Sequence, residues 1–169
     1  MVMTRSATLV ALPLAAFVAI VVLLHDAEPD RVNEPLPALR FTRLDGTEFA
    51  LTDLGAKPWI IALWLPGCSS CTKDMAALEE ARQMYEARGV GFMALSVSED
   101  PEVVKDAADE LGVNSLIALS VGNVLGALRL DSVPSAVFVD RHGRIVGRVP
   151  YGSRSAGFFE KRAGELLAG

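Results

Sequence analysis

The stretch ALWLPGCSSCTKDMAALEEA, residues 62–81, holds both cysteines of the 169-residue chain. Cys68 and Cys71 are separated by two residues, so the sequence excludes a scaffold built on several disulfides and leaves one local dithiol. A strand, a turn and a long helix around a C-x-x-C pair indicate a redox-active pair more specifically than the spacing alone does. The pair is therefore the candidate for the chemistry of this protein.

The residues on either side of the pair predict a buried strand followed by a helix. Upstream, WIIALWL (59–65) is almost continuously apolar and lies between two prolines, as in a strand that is covered on both faces. Downstream, Met75, Leu78 and Tyr85 recur at helical spacing until Gly89, a residue type common just after helices. The cysteines therefore open the predicted helix.

The predicted position of Cys68 at the start of this helix gives it the chemistry of a nucleophile. Unpaired backbone N–H groups and the positive end of the helix dipole stabilise a thiolate more than a thiol. Cys71 follows one helical turn later, where its sulfur can close a disulfide with Cys68 and expel a bound substrate sulfur. We predict that Cys68 is the exposed attacking thiol with the lower pKa and that Cys71 is the resolving thiol.

Three other interpretations of the pair are open. A static structural disulfide across so short a loop would restrain little chain entropy and would therefore stabilise the fold only weakly. Half of a zinc site would need two more ligands, and His25 and His142 are the only histidines in the sequence. A buried inert pair fits poorly with the turn-forming residues Pro66 and Gly67 before it. We therefore predict a redox-active pair and no metal site.

The rest of the chain predicts an α/β fold. Residues 39–51 alternate between apolar and polar across Asp45-Gly46, which is typical of a hairpin. Strands are predicted at 90–97, 115–121, 136–139 and 144–149, and helices at 101–111, 122–130 and 158–167. Strands therefore alternate with helices and are followed by a hairpin and a helix. This order favours a central mixed sheet flanked by helices.

The N-terminus predicts a membrane anchor. Residues 7–24 carry no charge, and in a helix they reach about 27 Å, close to the roughly 30 Å hydrocarbon thickness of a bilayer. The alternatives are a cleaved signal peptide, which would have a shorter apolar region and a small-residue cleavage site, and a buried helix, which would have a polar face. We favour an uncleaved signal-anchor, with residues 1–6 as a short cytoplasmic tail.

The charges around this span predict the side on which the domain lies. Arg5 precedes the span, whereas acidic residues follow it, so the domain is predicted to face the periplasm or the exterior of a single-pass membrane protein. In such a compartment a dithiol can cycle with a disulfide. Residues 25–37 carry three prolines among charges and are predicted as an extended linker, with the folded domain at 38–169.

Charge and motif content exclude two classes of function. The 16 basic and 21 acidic side chains give a formal charge of −5, and the chain has no basic cluster with which to neutralise the phosphates of a nucleic acid. It also lacks the glycine-rich motifs that bind dinucleotides and nucleoside triphosphates. We therefore predict no nucleic-acid partner and no cofactor, with redox chemistry in the two sulfurs alone.

Residues 62–81 resemble the active-site segment of thioredoxin-like proteins of the TlpA and ResA type, which are membrane-anchored thiol-disulfide oxidoreductases of the bacterial cell envelope. The resemblance extends from about residue 36 to residue 167. It includes SVPSAVFVDRHGRIVGRVPYG (132–152), which is similar to the family's segment of a cis-proline, a strand, a glycine turn and a last strand. It implies a thioredoxin-like fold that begins with a β-hairpin.

The resemblance also implies which residues form the site. Cys68 and Cys71 are the redox-active disulfide, and Pro134 is the cis-proline. The backbone of Val133 is implied to pair with an extended substrate segment, and Trp64 is implied to belong to the substrate-binding residues. From the residues alone, Pro134 is an ordinary proline at the edge of a strand.

The chain departs from the family close to the cysteines. Ala62 stands where thioredoxins carry a buried Asp, so no side chain at this position can move a proton to Cys71. Gly67 stands where a second Trp is usual. Ser69-Ser70 is an unusual pair between the cysteines, and residues there help to set the reduction potential. The direction of electron flow is therefore left open.

These observations predict a thiol-disulfide oxidoreductase that acts on protein disulfides in the cell envelope. The resemblance implies a role in cytochrome c maturation or a related pathway, and an electron donor or acceptor protein in the membrane. We expect a monomer. Two other functions are open: a thiol peroxidase, which usually has a threonine where this chain has Leu65, and a copper metallochaperone, which usually pairs C-x-x-x-C with a distant histidine.

Overall fold

A computed structural model describes residues 30–169, in which eight strands form one mixed sheet. The strands are β1 (Asp30–Pro35), β2 (Arg40–Thr42), β3 (Glu48–Ala50), β4 (Trp59–Trp64), β5 (Gly91–Ser96), β6 (Leu116–Ser120), β7 (Ser135–Val139) and β8 (Arg144–Val149). The helices are α1 (Ser69–Tyr85), α2 (Pro101–Leu111), α3 (Val124–Leu128) and α4 (Ala156–Ala168), with 3-10 turns at Leu51–Leu54 and Glu86–Arg88. The order across the sheet is β1-β8-β7-β4-β5-β6-β2-β3.

The central position of β4 explains its continuous apolar sequence. Successive side chains of a strand point to opposite faces of a sheet, and each of the six in β4 is at most 4% exposed. One face lies in a core layer with α1, α2 and α4, and the other in a layer with α3 and the β2–β3 hairpin. The prediction of a strand that is covered on both faces is confirmed.

The directions of the strands place one end of the sheet next to the cysteines. β5 runs parallel to β4, and β6 runs parallel to β5. β7 is antiparallel to β4 and β8 is antiparallel to β7, so β8 also runs in the direction of β4. The strands β4, β5, β6 and β8 therefore all end at the same side, which we call the dithiol end because Cys68 follows β4.

Local capping also follows the sequence prediction. The carboxylate of Asp100 accepts hydrogen bonds from the N–H groups of Glu102 and Val103 and so caps α2, which starts with Pro101. Gly112 ends α2 with a φ of +65°, a conformation that glycine adopts without strain. The predicted hairpin is present as the antiparallel pair β2–β3.

Residues 30–35, which we predicted as part of an extended linker, form the edge strand β1. This strand pairs antiparallel with β8, and the carboxylate of Glu34 binds the guanidinium groups of Arg129 and Arg148 at 2.9 Å each. Proline is tolerated in an edge strand because its missing N–H can face outward. The folded domain therefore includes residues 30–35, which corrects its predicted start at residue 38.

The predicted cytoplasmic tail (1–6) and membrane span (7–24) lie outside the described residues. Within residues 30–169, no helix combines the length and the apolarity that crossing a membrane requires.

Candidate active site

The redox pair lies where β4 passes into α1. Gly67 has a φ of +78°, in the left-handed region that a residue with a side chain adopts only with strain. Cys68 is the N-cap of α1, and Cys71 lies in its first turn. The two sulfurs form a disulfide, with the Cα atoms 5.3 Å apart. The structure therefore brings the two predicted redox residues together at the start of the predicted helix.

The two cysteines differ in exposure and in contacts. Cys68 is half-buried whereas Cys71 is fully buried, which confirms that Cys68 is the more exposed. The Cys68 Sγ accepts a hydrogen bond from the N–H of Cys71 at 3.2 Å and lies 3.3 Å from the Oγ of Ser70. Donors at a helix N-terminus favour a thiolate over a thiol. That Cys68 has the lower thiol pKa stays a prediction.

A buried carboxyl group, which the sequence interpretation did not assign, lies one helical turn beyond Cys71. Asp74 is 1% exposed, and its Oδ1 accepts a hydrogen bond from the N–H of Arg154 at 2.6 Å. Among the described residues, Oδ2 has no hydrogen-bond partner. Burial raises the pKa of Asp74 to about 6, against the lowering effects of the Arg154 N–H and of the Arg154 charge. Asp74 is therefore a stronger base than an ordinary carboxylate and is still ionised at neutral pH.

The sequence contained a signal for this carboxyl group. Asp74 follows Cys71 by three residues, which on a helix places both on one face. Position 62, where thioredoxins carry a buried Asp, holds Ala62 in β4 and offers no proton acceptor. The burial of Asp74 depends on Arg154, 80 residues further along the chain, and this tertiary contact cannot be inferred from local spacing.

The bond between Val133 and Pro134 is cis, as the resemblance implied. It lies immediately before β7, whose Ser135 pairs with Leu63 near the dithiol end of β4. Val133 is half-buried and contacts both core layers. Within residues 30–169, its backbone N–H and C=O have no hydrogen-bond partner. Unpaired backbone groups persist where water or a ligand can satisfy them.

The indole of Trp64 lies in the core rather than on the surface. Trp64 is the last residue of β4, is 1% exposed, and belongs to the same core layer as Cys71 and Met75. A substrate at the surface cannot touch this ring in the disulfide form. In this form Trp64 packs beneath the site, and its place among the substrate-binding residues stays a prediction.

The described residues contain no cluster that suits a metal ion. No group of three or more His, Cys, Asp or Glu side chains comes together in residues 30–169. His142 is exposed in the turn between β7 and β8, at the opposite end of the sheet from the cysteines. His25 lies outside the described residues.

A single sheet with flanking helices and a disulfide at the N-terminus of α1 define a thioredoxin-like disulfide oxidoreductase. A family model described as Redoxin matches residues 31–154. This match spans more than half of the chain, and the protein belongs to the redoxin family.

Comparison with a named relative and with solved structures agrees with this assignment. The chain is 26% identical over 125 residues to the thiol-disulfide oxidoreductase ResA of Bacillus thuringiensis (strain Al Hakam). The matched region covers 73% of this chain and 72% of the relative. It is thus a redoxin-superfamily protein of the ResA and TlpA type.

Two solved structures show the same fold. The thioredoxin domain of a thiol-disulfide oxidoreductase from Bacteroides vulgatus has a TM-score of 0.69 at 21% identity, covering 83% of this chain and 98% of that chain. A secreted Mycobacterium tuberculosis disulfide oxidoreductase homologous to E. coli DsbE has a TM-score of 0.66 at 18% identity, and the match covers 76% of this chain and 96% of that chain.

Proposed function

We propose that this protein exchanges electrons between its own cysteine pair and the disulfides of other proteins in the cell envelope. One observation carries the proposal: in the Cys68–Cys71 disulfide only the sulfur at the helix N-terminus belongs to a residue with exposed surface. An accessible sulfur can bond to a substrate sulfur, whereas a buried one can only resolve that bond. The relative named thiol-disulfide oxidoreductase supports the same chemistry.

The exchange has two steps. In the reduced protein, the thiolate of Cys68 attacks one sulfur of a substrate disulfide, forms a mixed disulfide and releases the first substrate thiolate. Cys71 then loses its proton, attacks the Cys68 Sγ and releases the second substrate thiolate. The substrate gains two electrons and, from solvent or protein groups, two protons, while Cys68 and Cys71 become the observed disulfide. The reverse sequence oxidises a substrate dithiol.

Asp74 is the proton acceptor that we propose for the second step. Cys71 is fully buried, so its proton needs an acceptor inside the protein. The carboxylate of Asp74 lies one turn along the same helix, and its Oδ2 is without a hydrogen-bond partner among the described residues. Asp74 is thus placed to bind the proton of Cys71 and later to return it to solvent or to a leaving thiolate.

Val133 is the residue that we propose to hold the substrate polypeptide. Its unpaired backbone N–H and C=O can form the hydrogen bonds of one more extended strand. Main-chain pairing of this kind fixes a polypeptide irrespective of its side chains. The proposed substrates are therefore proteins with exposed disulfides, such as an apocytochrome c in a maturation pathway, rather than small disulfides alone.

The proposed location is the outer side of the membrane, with residues 7–24 as the anchor and a membrane protein as the electron partner. The uncharged run supports the anchor, and Arg5 before it supports the orientation. We propose that the protein acts as a monomer. In spheroplasts treated with a reductant, a membrane-impermeant maleimide is expected to label Cys68. Labelling that requires cell lysis would place the domain in the cytoplasm and overturn this part of the proposal.

The reaction is tested by mixing the reduced full chain, freed of reductant, with either a peptide disulfide or hydrogen peroxide. We expect the peptide disulfide to react faster, with one Cys68–Cys71 disulfide formed for each peptide disulfide cleaved. The same chain with both thiols alkylated is the control and is expected to be inert. Rapid oxidation by peroxide with no reaction of the peptide would contradict the proposal and indicate a thiol peroxidase.

A further inference from the structure

Residues 150–155, which we call the 150–155 loop, connect β8 to α4 and are attached to the redox motif. The Oγ of Ser153 donates a hydrogen bond to the carbonyl oxygen of Ser70 at 3.0 Å, and Ser70 lies between the two cysteines. The N–H of Arg154 donates to Asp74 at 2.6 Å. Two hydrogen bonds therefore hold the loop against the first two turns of α1.

Within the same loop, the side chain of Arg154 holds the backbone of Tyr151. The guanidinium group of Arg154 donates to the carbonyl oxygens of Tyr151 and Ser153, at 2.6 and 3.1 Å. Gly152 between them has a φ of +105°, which closes the turn. Two Cα steps of about 3.8 Å keep Tyr151 within about 7.6 Å of the Cα of Ser153. Tyr151 is thus fixed beside the motif that contains the disulfide.

Tyr151 is exposed, although its backbone carbonyl is held by a hydrogen bond. It is 63% exposed, although tyrosine buries a large apolar ring whenever a partner is available. A ring on a backbone that is already fixed loses little conformational entropy when it packs against a ligand. Tyr151 therefore has the properties of a contact residue for a binding partner.

Two other exposed apolar residues follow strands that end at the dithiol end. Leu65 follows β4 and is 39% exposed, and Val121 follows β6 and is 48% exposed. Tyr151 follows β8, so all three residues lie beyond strands that finish at the dithiol end. Apolar surface next to an accessible sulfur matches a polypeptide with apolar side chains near its cysteine.

We propose that Tyr151 determines substrate specificity by packing against an apolar side chain that adjoins the reactive cysteine of the substrate. This inference rests on the proposed function, since it names the feature by which the same site recognises its protein substrates. Tyr151 does not act on the sulfurs. It raises affinity for polypeptides that carry an aromatic or aliphatic residue beside the disulfide and leaves the rate of sulfur exchange unchanged.

The test compares three disulfides with the reduced full chain in single-turnover experiments: a peptide with leucine beside each cysteine, the same peptide with glycine there, and 2-hydroxyethyl disulfide. For Tyr151→Ser, we expect the half-saturating concentration of the leucine peptide to rise about three- to tenfold, as for the loss of one aromatic contact. The maximal rate stays unchanged, and so do the reactions of the glycine peptide and 2-hydroxyethyl disulfide. Tyr151→Phe keeps the ring and is expected to behave as the parent.

Met84→Ser is the matched control, because Met84 is 47% exposed but lies near the far end of α1. It is expected to change none of the three reactions. The inference is overturned if Tyr151→Ser leaves the leucine peptide unaffected, or if it slows all three disulfides equally, which would indicate a disturbed dithiol. A parent chain that reacts with none of the three disulfides would overturn the proposed function itself.

Discussion

Cys68→Ser is expected to lower the rate of disulfide exchange by about 10³-fold or more, because it removes the attacking thiolate. Cys71 cannot replace it, since Cys71 is 0% exposed. The measurement is the initial rate of thiol release from a peptide disulfide after mixing with the reduced full chain. Met84→Ser is the control, because Met84 is exposed and lies near the far end of the same helix, and it is expected to stay close to the parent rate.

A Cys68→Ser variant that kept most of the activity would show that Cys71 can attack a substrate. The surface around the pair would then have to open before reaction. Such a result would reverse the assigned roles of the two cysteines, although the fold would be unaffected.

Asp74→Asn is expected to slow the second step of the exchange about 10²-fold, because an amide cannot accept the proton of Cys71. The amide oxygen can still accept the hydrogen bond from the Arg154 N–H, so the loop contact is kept. The parent rate is expected to rise with pH through about 6, where Asp74 loses its proton. In the variant this inflection is expected to disappear.

The same variant is expected to gain stability at neutral pH. The pKa of Asp74 is about 6 in the folded protein and near 3.8 when the side chain is in water, so folding favours its protonated form. The contribution of protonated Asp74 to the free energy of unfolding is fully present below pH 3.8, and it is lost as the pH rises through 6. Asp74→Asn removes this loss, and its oxidised form is expected to exceed the parent by about 3 kcal/mol at pH 7 and to approach it as the pH falls below 3.8.

Glu80→Gln is the control for both measurements, because Glu80 is on the same helix but exposed. Its rate, its pH profile and its free energy of unfolding in denaturant titrations are expected to match those of the parent. If Asp74→Asn reacts as fast as Glu80→Gln over the whole pH range, then Asp74 is a structural residue and the proton of Cys71 leaves by another route.

The elements that the sequence predicted well are those whose signal is local. β4 is apolar on both faces because both of its faces are buried, and the helix start at Cys68 follows from the turn at Gly67. Asp45-Gly46 marked the hairpin for the same reason, since the turn chemistry lies in adjacent residues. Patterns of this kind need no knowledge of distant parts of the chain.

The features that were missed depend on contacts far apart in sequence. β1 is a strand because the edge of β8 is available to pair with it and because Glu34 reaches Arg148, 114 residues away. Its proline and its charged residues are also typical of a linker. Asp74 is buried beneath the 150–155 loop. The cis bond at Pro134 came from resemblance alone, since a proline's isomer is not readable from neighbouring residues.

The central claim is that the sulfur of Cys68 bonds to a polypeptide substrate before Cys71 releases it. The most direct measurement is peptide mapping by mass spectrometry of the Cys71→Ser full chain after reaction with a peptide disulfide, without reductant. We expect one adduct per chain, with the mass of a single peptide arm, on the fragment that contains Cys68. A chain that remains unmodified under conditions in which the parent is oxidised by the same peptide would contradict the account.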